Sequence, residues 1–90
     1  MRGMKPLILQ TPVQLADHLR SFRKARGLTQ SALGRLTGLK QARIAKIERD
    51  PSRVSIGQLL GLLAALDVQV LLAPRPRAPA SNALRTPPDW

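Results

Sequence analysis

The segment from Gln30 to Glu48 reads QSALGRLTGLKQARIAKIE and contains the most informative pattern in the sequence. Its apolar residues recur at helical spacing in two runs, with Gly34 inside the first run and Gly38 between the two. A glycine at position 34 lets two crossing helices approach closely, and Gly38 permits the sharp turn that joins them. The spacing therefore predicts a helix-turn-helix, whose second helix is of the kind that enters the major groove of DNA.

Capping and stop residues predict further helices on both sides of this motif. Thr11, followed by Pro12, is typical of a helix start, and Gly27 is typical of a helix end. Thr29 and Ser55 are candidate caps of later helices. The pattern predicts four helices, at about 12–26, 30–37, 40–49 and 56–66.

Apolar periodicity identifies the side chains that we expect to face the core of these helices. Within 30–48, Gly38 makes the turn, and the inward-facing residues hold the two helices that it joins against the core. The predicted inward residues of the first three helices are Leu15, Leu19, Phe22, Leu33, Leu36, Leu39, Ile44 and Ile47.

The aliphatic, partly β-branched segment 68–72 predicts one strand, which gives an all-α bundle of four to five helices with one added β-strand. A lone strand must find a partner for its backbone groups. The partner is either the N-terminal arm, 1–10, or the same strand of a second copy. We expect the second, a dimer whose interface involves Leu63, Leu66, Val68, Val70 and Leu72.

The composition changes after the main domain, which we place at 11–73. Five of the eight prolines lie between Pro74 and Pro88, which predicts a flexible tail at 74–90. This tail ends on Trp90, the single tryptophan. A large apolar side chain at the tip of such a tail is typical of a partner-binding anchor.

The overall composition narrows the function further. The chain has 90 residues, of which 15 are Lys or Arg and 5 are Asp or Glu, so the net charge is +10 and a polyanionic partner is indicated. With no cysteine and only His18 as histidine, we expect neither a metal site nor a cofactor, and no enzyme activity. The apolar stretch 56–73 is interrupted by Gln58, Asp67 and Gln69, so we expect no membrane span and a cytoplasmic, nucleoid-associated protein.

The positive charge is concentrated on the motif, since the segment 20–53 carries ten basic and two acidic residues. Gln41 can pair with an adenine, and Gln30 can hold a phosphate. Arg43 is long enough to reach either a base or a phosphate, and we expect phosphate. Lys40 and Lys46 can reach either guanine or phosphate, and this choice stays open. The predicted DNA-binding residues are Gln30, Ser31, Lys40, Gln41, Ala42, Arg43, Lys46 and Arg49.

The segment 28–48, LTQSALGRLTGLKQARIAKIE, resembles the Cro/C1-type (XRE) helix-turn-helix family. The order of arm, helices, GLKQA motif, strand and terminal tryptophan is similar to its HipB-type antitoxin branch. The resemblance implies a lambda-repressor-like bundle, a strand paired across a dimer, and a salt bridge between Arg23 and Glu48. It also implies a dimeric repressor of its own operon that binds an inverted repeat and a HipA-type Ser/Thr kinase toxin.

Two alternatives to a toxin-binding repressor stay open. One is a stand-alone repressor of the phage or restriction-control type, with no protein partner. Trp90 favours the antitoxin over this alternative, because a repressor that acts alone gains nothing from a terminal tryptophan. The other is a cationic membrane-surface protein, which the clustering of basic residues on a helix-turn-helix disfavours.

Overall fold

A computed structural model describes residues 6–76 of the chain. Four α-helices follow one another with short connections, and a 3-10 helix at Pro51–Arg53 precedes the last of them. The α-helices are α1 (Pro12–Ala25), α2 (Gln30–Thr37), α3 (Gln41–Arg49) and α4 (Ile56–Ala65). These confirm the predicted helix-turn-helix and the four-helix part of the fold class.

Three helices begin at the hydroxyl caps that the sequence predicts. Oγ1 of Thr11 accepts from the backbone N–H of Gln14, and Oε1 of Gln14 accepts from the backbone N–H of Thr11, so α1 begins with a capping box. The Thr29 hydroxyl accepts from the third residue of α2, and Ser55 does the same for α4. These bonds satisfy donors that the helices cannot pair internally.

The chain after α3 is turned by a second type of cap. The carboxylate of Asp50 accepts bonds from the Ser52 hydroxyl at 2.6 Å and from the Ser52 backbone N–H at 3.2 Å. These two bonds, in that order, lower the pKa of Asp50 below its ordinary value, and the charge of Arg53 adds to the effect. Asp50 thereby fixes the turn that leads from α3 toward α4.

The core is aliphatic and draws on all four α-helices. Partly buried side chains surround it, including Leu15, Phe22, Leu28 and Leu39. The buried members of the core cluster are Leu19, Leu33, Ile44, Ile47, Leu62, Leu63 and Leu66. α3 contributes the most deeply buried side chain, Ile44, so the helix expected to read DNA has its inner face anchored in the core.

Leu36 was predicted to face the core, and this prediction is wrong. Its side chain is 59% exposed, although Leu33, three residues earlier, is buried. α2 has eight residues, so it presents only a narrow stripe to the core, and Leu33 and Gly34 occupy that stripe. Leu36 instead lines a groove between α2 and α4.

The segment 68–72, predicted as a strand, is not a strand in the part of the chain that the structure describes. Among residues 6–76 no strand is present, and the arm residues 6–10 do not pair with this segment. The N–H of Val68 donates to the Leu63 carbonyl in the C-terminal cap of α4, rather than to a neighbouring strand. A strand exists only with a ladder partner, and the described part of a single chain supplies none.

Candidate nucleic-acid interface

The helix-turn-helix is fixed by a close approach of backbone at its turn. The N–H of Leu39 donates to the Gly34 carbonyl at 2.8 Å, and Gly38 adopts a left-handed conformation with φ of 76°. A Cβ placed on Gly34 would lie 2.3 Å from the carbonyl oxygen of Leu39. Only glycine fits at position 34, and the angle between α2 and α3 depends on it.

The outer face of α3 is polar and basic. Gln41, Ala42, Lys46 and Arg49 are exposed, while Ile44 and Ile47 on the opposite face are buried. The only acidic residue of α3 is Glu48, which is itself buried and ion-paired. The surface presented to a ligand is therefore positive, which suits the phosphate-lined major groove.

Lys40 is the N-cap of α3 and not its first residue, so the helix begins one residue later than predicted. Its backbone is extended and no side chain caps α3 through a hydrogen bond at this end. The Lys40 side chain is exposed beside the start of α3. Its ammonium group is thus available at the end of the helix where Gln41 also lies.

A hydrogen-bonded chain of side chains connects Gln41 to the interior. Nε2 of Gln41 donates to Oε1 of Gln30 at 2.6 Å, and Nε2 of Gln30 donates to Oε1 of Glu48 at 3.2 Å. Gln30 is the first residue of α2 and is half-buried, whereas Gln41 is exposed. Gln30 therefore orients the side-chain amide of Gln41. Each acceptor oxygen in this series of hydrogen bonds requires the NH2 end of the next amide to face it.

This chain ends in a buried ion pair between Arg23 of α1 and Glu48 of α3. Nε of Arg23 lies 2.6 Å from Oε2 of Glu48, and Nη2 lies 3.1 Å from Oε1. The two side chains are 9% and 4% exposed, and Nη1 of Arg23 also donates to the Leu28 carbonyl. Arg23 thus connects α3 to α1 and to the loop before α2.

Arg43 has a partner that the sequence did not indicate. Its Nη2 donates to Oε1 of Gln58 on α4 at 2.7 Å, and both residues are half-buried. Fifteen residues separate them along the chain, so no local pattern marks the pair.

Ser31, which is also among the predicted DNA-binding residues, is exposed near the start of α2.

The residues expected at a dimer interface fall into two groups. Leu63 and Leu66 belong to the core of the single chain, and Val68 is half-buried against it. Val70 and Leu72 are 51% and 94% exposed. Trp90 and the tail from residue 77 onward lie outside the described residues.

The comparison with protein families decides the classification. A helix-turn-helix family model matches residues 19–71, from the middle of α1 to the apolar segment after α4. The chain belongs to the XRE-type helix-turn-helix family. This helix-turn-helix protein is a DNA-binding regulator related to HipB antitoxins. The family resemblance expected from segment 28–48 is thereby confirmed.

Curated relatives of this helix-turn-helix protein differ in how much of their length it covers. It is 29% identical over 82 residues to the antitoxin HipB of Escherichia coli O6:H1, which covers 91% of this chain and 87% of the relative. It is 35% identical over 66 residues to the HTH-type transcriptional regulator y4dL of Sinorhizobium fredii. That alignment covers 73% of this chain, and the chain spans only about a third (34%) of y4dL.

Solved structures give the same likeness at the level of the fold. The chain superimposes on a chain of the HipA-HipB-O2-O3 complex with a TM-score of 0.70 and 29% identity, covering 76% of this chain and 96% of the other. A restriction-modification controller protein matches with a TM-score of 0.61 and 24% identity, over 63% and 76% of the two chains. The second likeness extends to the fold alone.

Within residues 6–76, no helix is long and apolar enough to cross a membrane.

Proposed function

We propose that this protein is a dimeric, cytoplasmic transcriptional repressor that inserts α3 into the major groove at each half of an inverted-repeat operator. The observation that carries the proposal is the arrangement at the start of α3, where Gln30 orients the exposed amide of Gln41 on a basic surface. An amide held in this way can form two hydrogen bonds with an adenine edge. On the same helix, Arg49 supplies a contact to phosphate, and Lys46 supplies a contact to either guanine or phosphate.

The dimer is proposed to form through 68–72, paired with the same segment of a second copy. Val70, Leu71 and Leu72 form an exposed apolar run directly after α4. Such a run is unfavourable in water, and within residues 6–76 its backbone groups have no ladder partner. Pairing across a two-fold axis covers the apolar run and gives its backbone groups partners, with Leu63 and Leu66 packed beneath the paired segments.

We further propose that the protein is an antitoxin that represses its own operon and binds a HipA-type kinase toxin. The support is the similarity to HipB over 91% of the chain, together with the large apolar side chain of Trp90, the single tryptophan, which suits a partner's pocket. A stand-alone repressor of the restriction-control or phage type is the alternative. It shares the DNA-binding role and lacks the protein partner.

Two measurements test these proposals. DNase I footprinting on the DNA upstream of the protein's own gene should show one protected inverted repeat, and no protection at micromolar dimer in low salt would contradict operator binding. Affinity purification of the tagged chain from its native host should recover the product of an adjacent gene with kinase-like sequence. Recovery of the regulator alone, while the neighbouring gene is expressed, would favour the stand-alone repressor.

A further inference from the structure

Arg43 differs from the other cations of α3 in being held by a neighbouring helix. Its Nη2 donates to Oε1 of Gln58 at 2.7 Å, and both side chains are half-buried where α3 meets α4. Lys46 and Arg49 are exposed, and among residues 6–76 neither donates a hydrogen bond to another side chain. One arginine beside the candidate DNA-binding face is therefore fixed in direction.

The chemistry of Gln58 suits this arrangement. A guanidinium carries several N–H donors in a rigid plane, and Gln58 occupies only one of them. An amide oxygen is neutral, so the bond directs the guanidinium and leaves its positive charge intact. A carboxylate at the same place would hold Arg43 more tightly and would cancel its charge.

We propose that Gln58 is a positioning residue that presents Arg43 to a phosphate of bound DNA. Gln58 acts through Arg43 and does not itself contact the DNA. An arginine that is already fixed loses less rotamer entropy on binding than a free one, so the contact strengthens binding. The proposal rests on the assignment of Arg43 to the DNA backbone. Because phosphates are the same in every DNA sequence, the gain in affinity from Gln58 extends to DNA of any sequence.

A mutant cycle on a short mixed-sequence DNA duplex tests the proposal without knowledge of the operator. Affinity is measured by fluorescence anisotropy over a range of salt concentrations for the full-length wild type, Gln58→Ala, Arg43→Ala and the double variant. We expect Gln58→Ala to weaken binding severalfold and to have no effect once Arg43 is absent. Arg43→Ala should also reduce the slope of log K against log salt by about 0.9, the value for one lost phosphate contact. Equal affinities of Gln58→Ala and wild type, or an equal loss in both backgrounds, would overturn the proposal.

Gln58→Glu separates positioning from a simple clamp between α3 and α4. We expect this variant to melt at the wild-type temperature or above it, because the ion pair with Arg43 holds the helices together. Its DNA affinity should nevertheless fall, and by more than the same substitution costs in Arg43→Ala. Equal losses in the two backgrounds would mean that only the added negative charge matters, which would refute positioning. Failure of the wild type to bind the duplex at low salt would instead contradict the DNA-binding role itself.

Discussion

Gly34 and Leu39 are in such close contact that a Cβ on Gly34 would lie 2.3 Å from the Leu39 carbonyl oxygen. The same carbonyl belongs to the turn that places Lys40 and Gln41 at the start of α3. The relative position of α2 and α3 thus depends on the absence of one methyl group. Two of the helices that form the DNA-binding unit are locked together at this contact.

We expect Gly34→Ala to destabilise the fold by about 1–3 kcal/mol, because backbone and not a flexible side chain must move. Thermal unfolding followed by circular dichroism measures the change. Gly61→Ala is the matched control, since nothing lies within 4 Å of a Cβ there and α4 should gain about 0.5–1 kcal/mol. An unchanged stability of Gly34→Ala would contradict this prediction, because it would show that the Leu39 backbone can move aside at little cost.

The ion pair of Arg23 and Glu48 gives a second prediction. We expect Glu48→Leu to cost about 3–5 kcal/mol, because it leaves the Arg23 charge buried and without its partner. The double variant Arg23→Met with Glu48→Leu should be more stable than Glu48→Leu alone, which denaturant unfolding will show. Arg49→Ala, an exposed change on the same helix, should shift stability by no more than about 0.5 kcal/mol. If the losses of unfolding free energy in Arg23→Met and Glu48→Leu simply add up in the double variant, the two residues are not a coupled pair.

The parts of the fold that local rules govern could be predicted from the sequence. The hydroxyls of Thr11, Thr29 and Ser55 cap helices as expected, because a cap involves residues only three apart. Gly38 was likewise predictable, since a left-handed turn has a strong residue preference. The outer and inner faces of α3 followed from helical periodicity.

The remaining features depend on contacts that span the chain. The bonds of Arg43 to Gln58 and of Gln41 to Gln30 join residues 15 and 11 positions apart, and neither has a local signature. The exposure of Leu36 was missed because two leucines three residues apart in a short helix do not define which one faces the core. The strand was predicted from β-branched residues, but strand formation requires a partner that this single chain does not provide within 6–76.

The proposed dimer contact through 68–72 is tested by proline scanning. Proline removes a ladder donor, and alternate residues of a strand point their N–H groups to opposite sides, so both Gln69→Pro and Val70→Pro are needed. We expect at least one of them to sediment as a monomer and to lose operator affinity. Val70→Ile, which retains the donor and the apolar surface, should remain a dimer. Tight dimers from both proline variants would exclude pairing through this segment.

The tail gives a prediction about the partner. We expect Trp90→Ala to leave operator binding unchanged, because the proposed DNA-binding residues all lie between positions 30 and 49. The same variant should bind the proposed kinase toxin more weakly in calorimetry or persist longer in the cell after synthesis is stopped. The second effect is expected if Trp90 is also recognised by a protease. Unchanged toxin affinity together with an unchanged half-life would remove Trp90 from both roles.

In the proposed two-fold dimer, α3 reads base sequence through Gln41. The most direct test is selection of bound duplexes from a random library by the wild type, Gln41→Ala and Arg49→Ala. We expect the wild type to enrich an inverted repeat with half-site centres one helical turn apart, about 34 Å. Gln41→Ala should lose preference at one position of each half-site at a cost of about 1–3 kcal/mol, whereas Arg49→Ala should enrich the same sequence with weaker binding throughout. Enrichment of the same motif with the same affinity by Gln41→Ala and wild type would contradict the assignment of α3 as the sequence-reading helix.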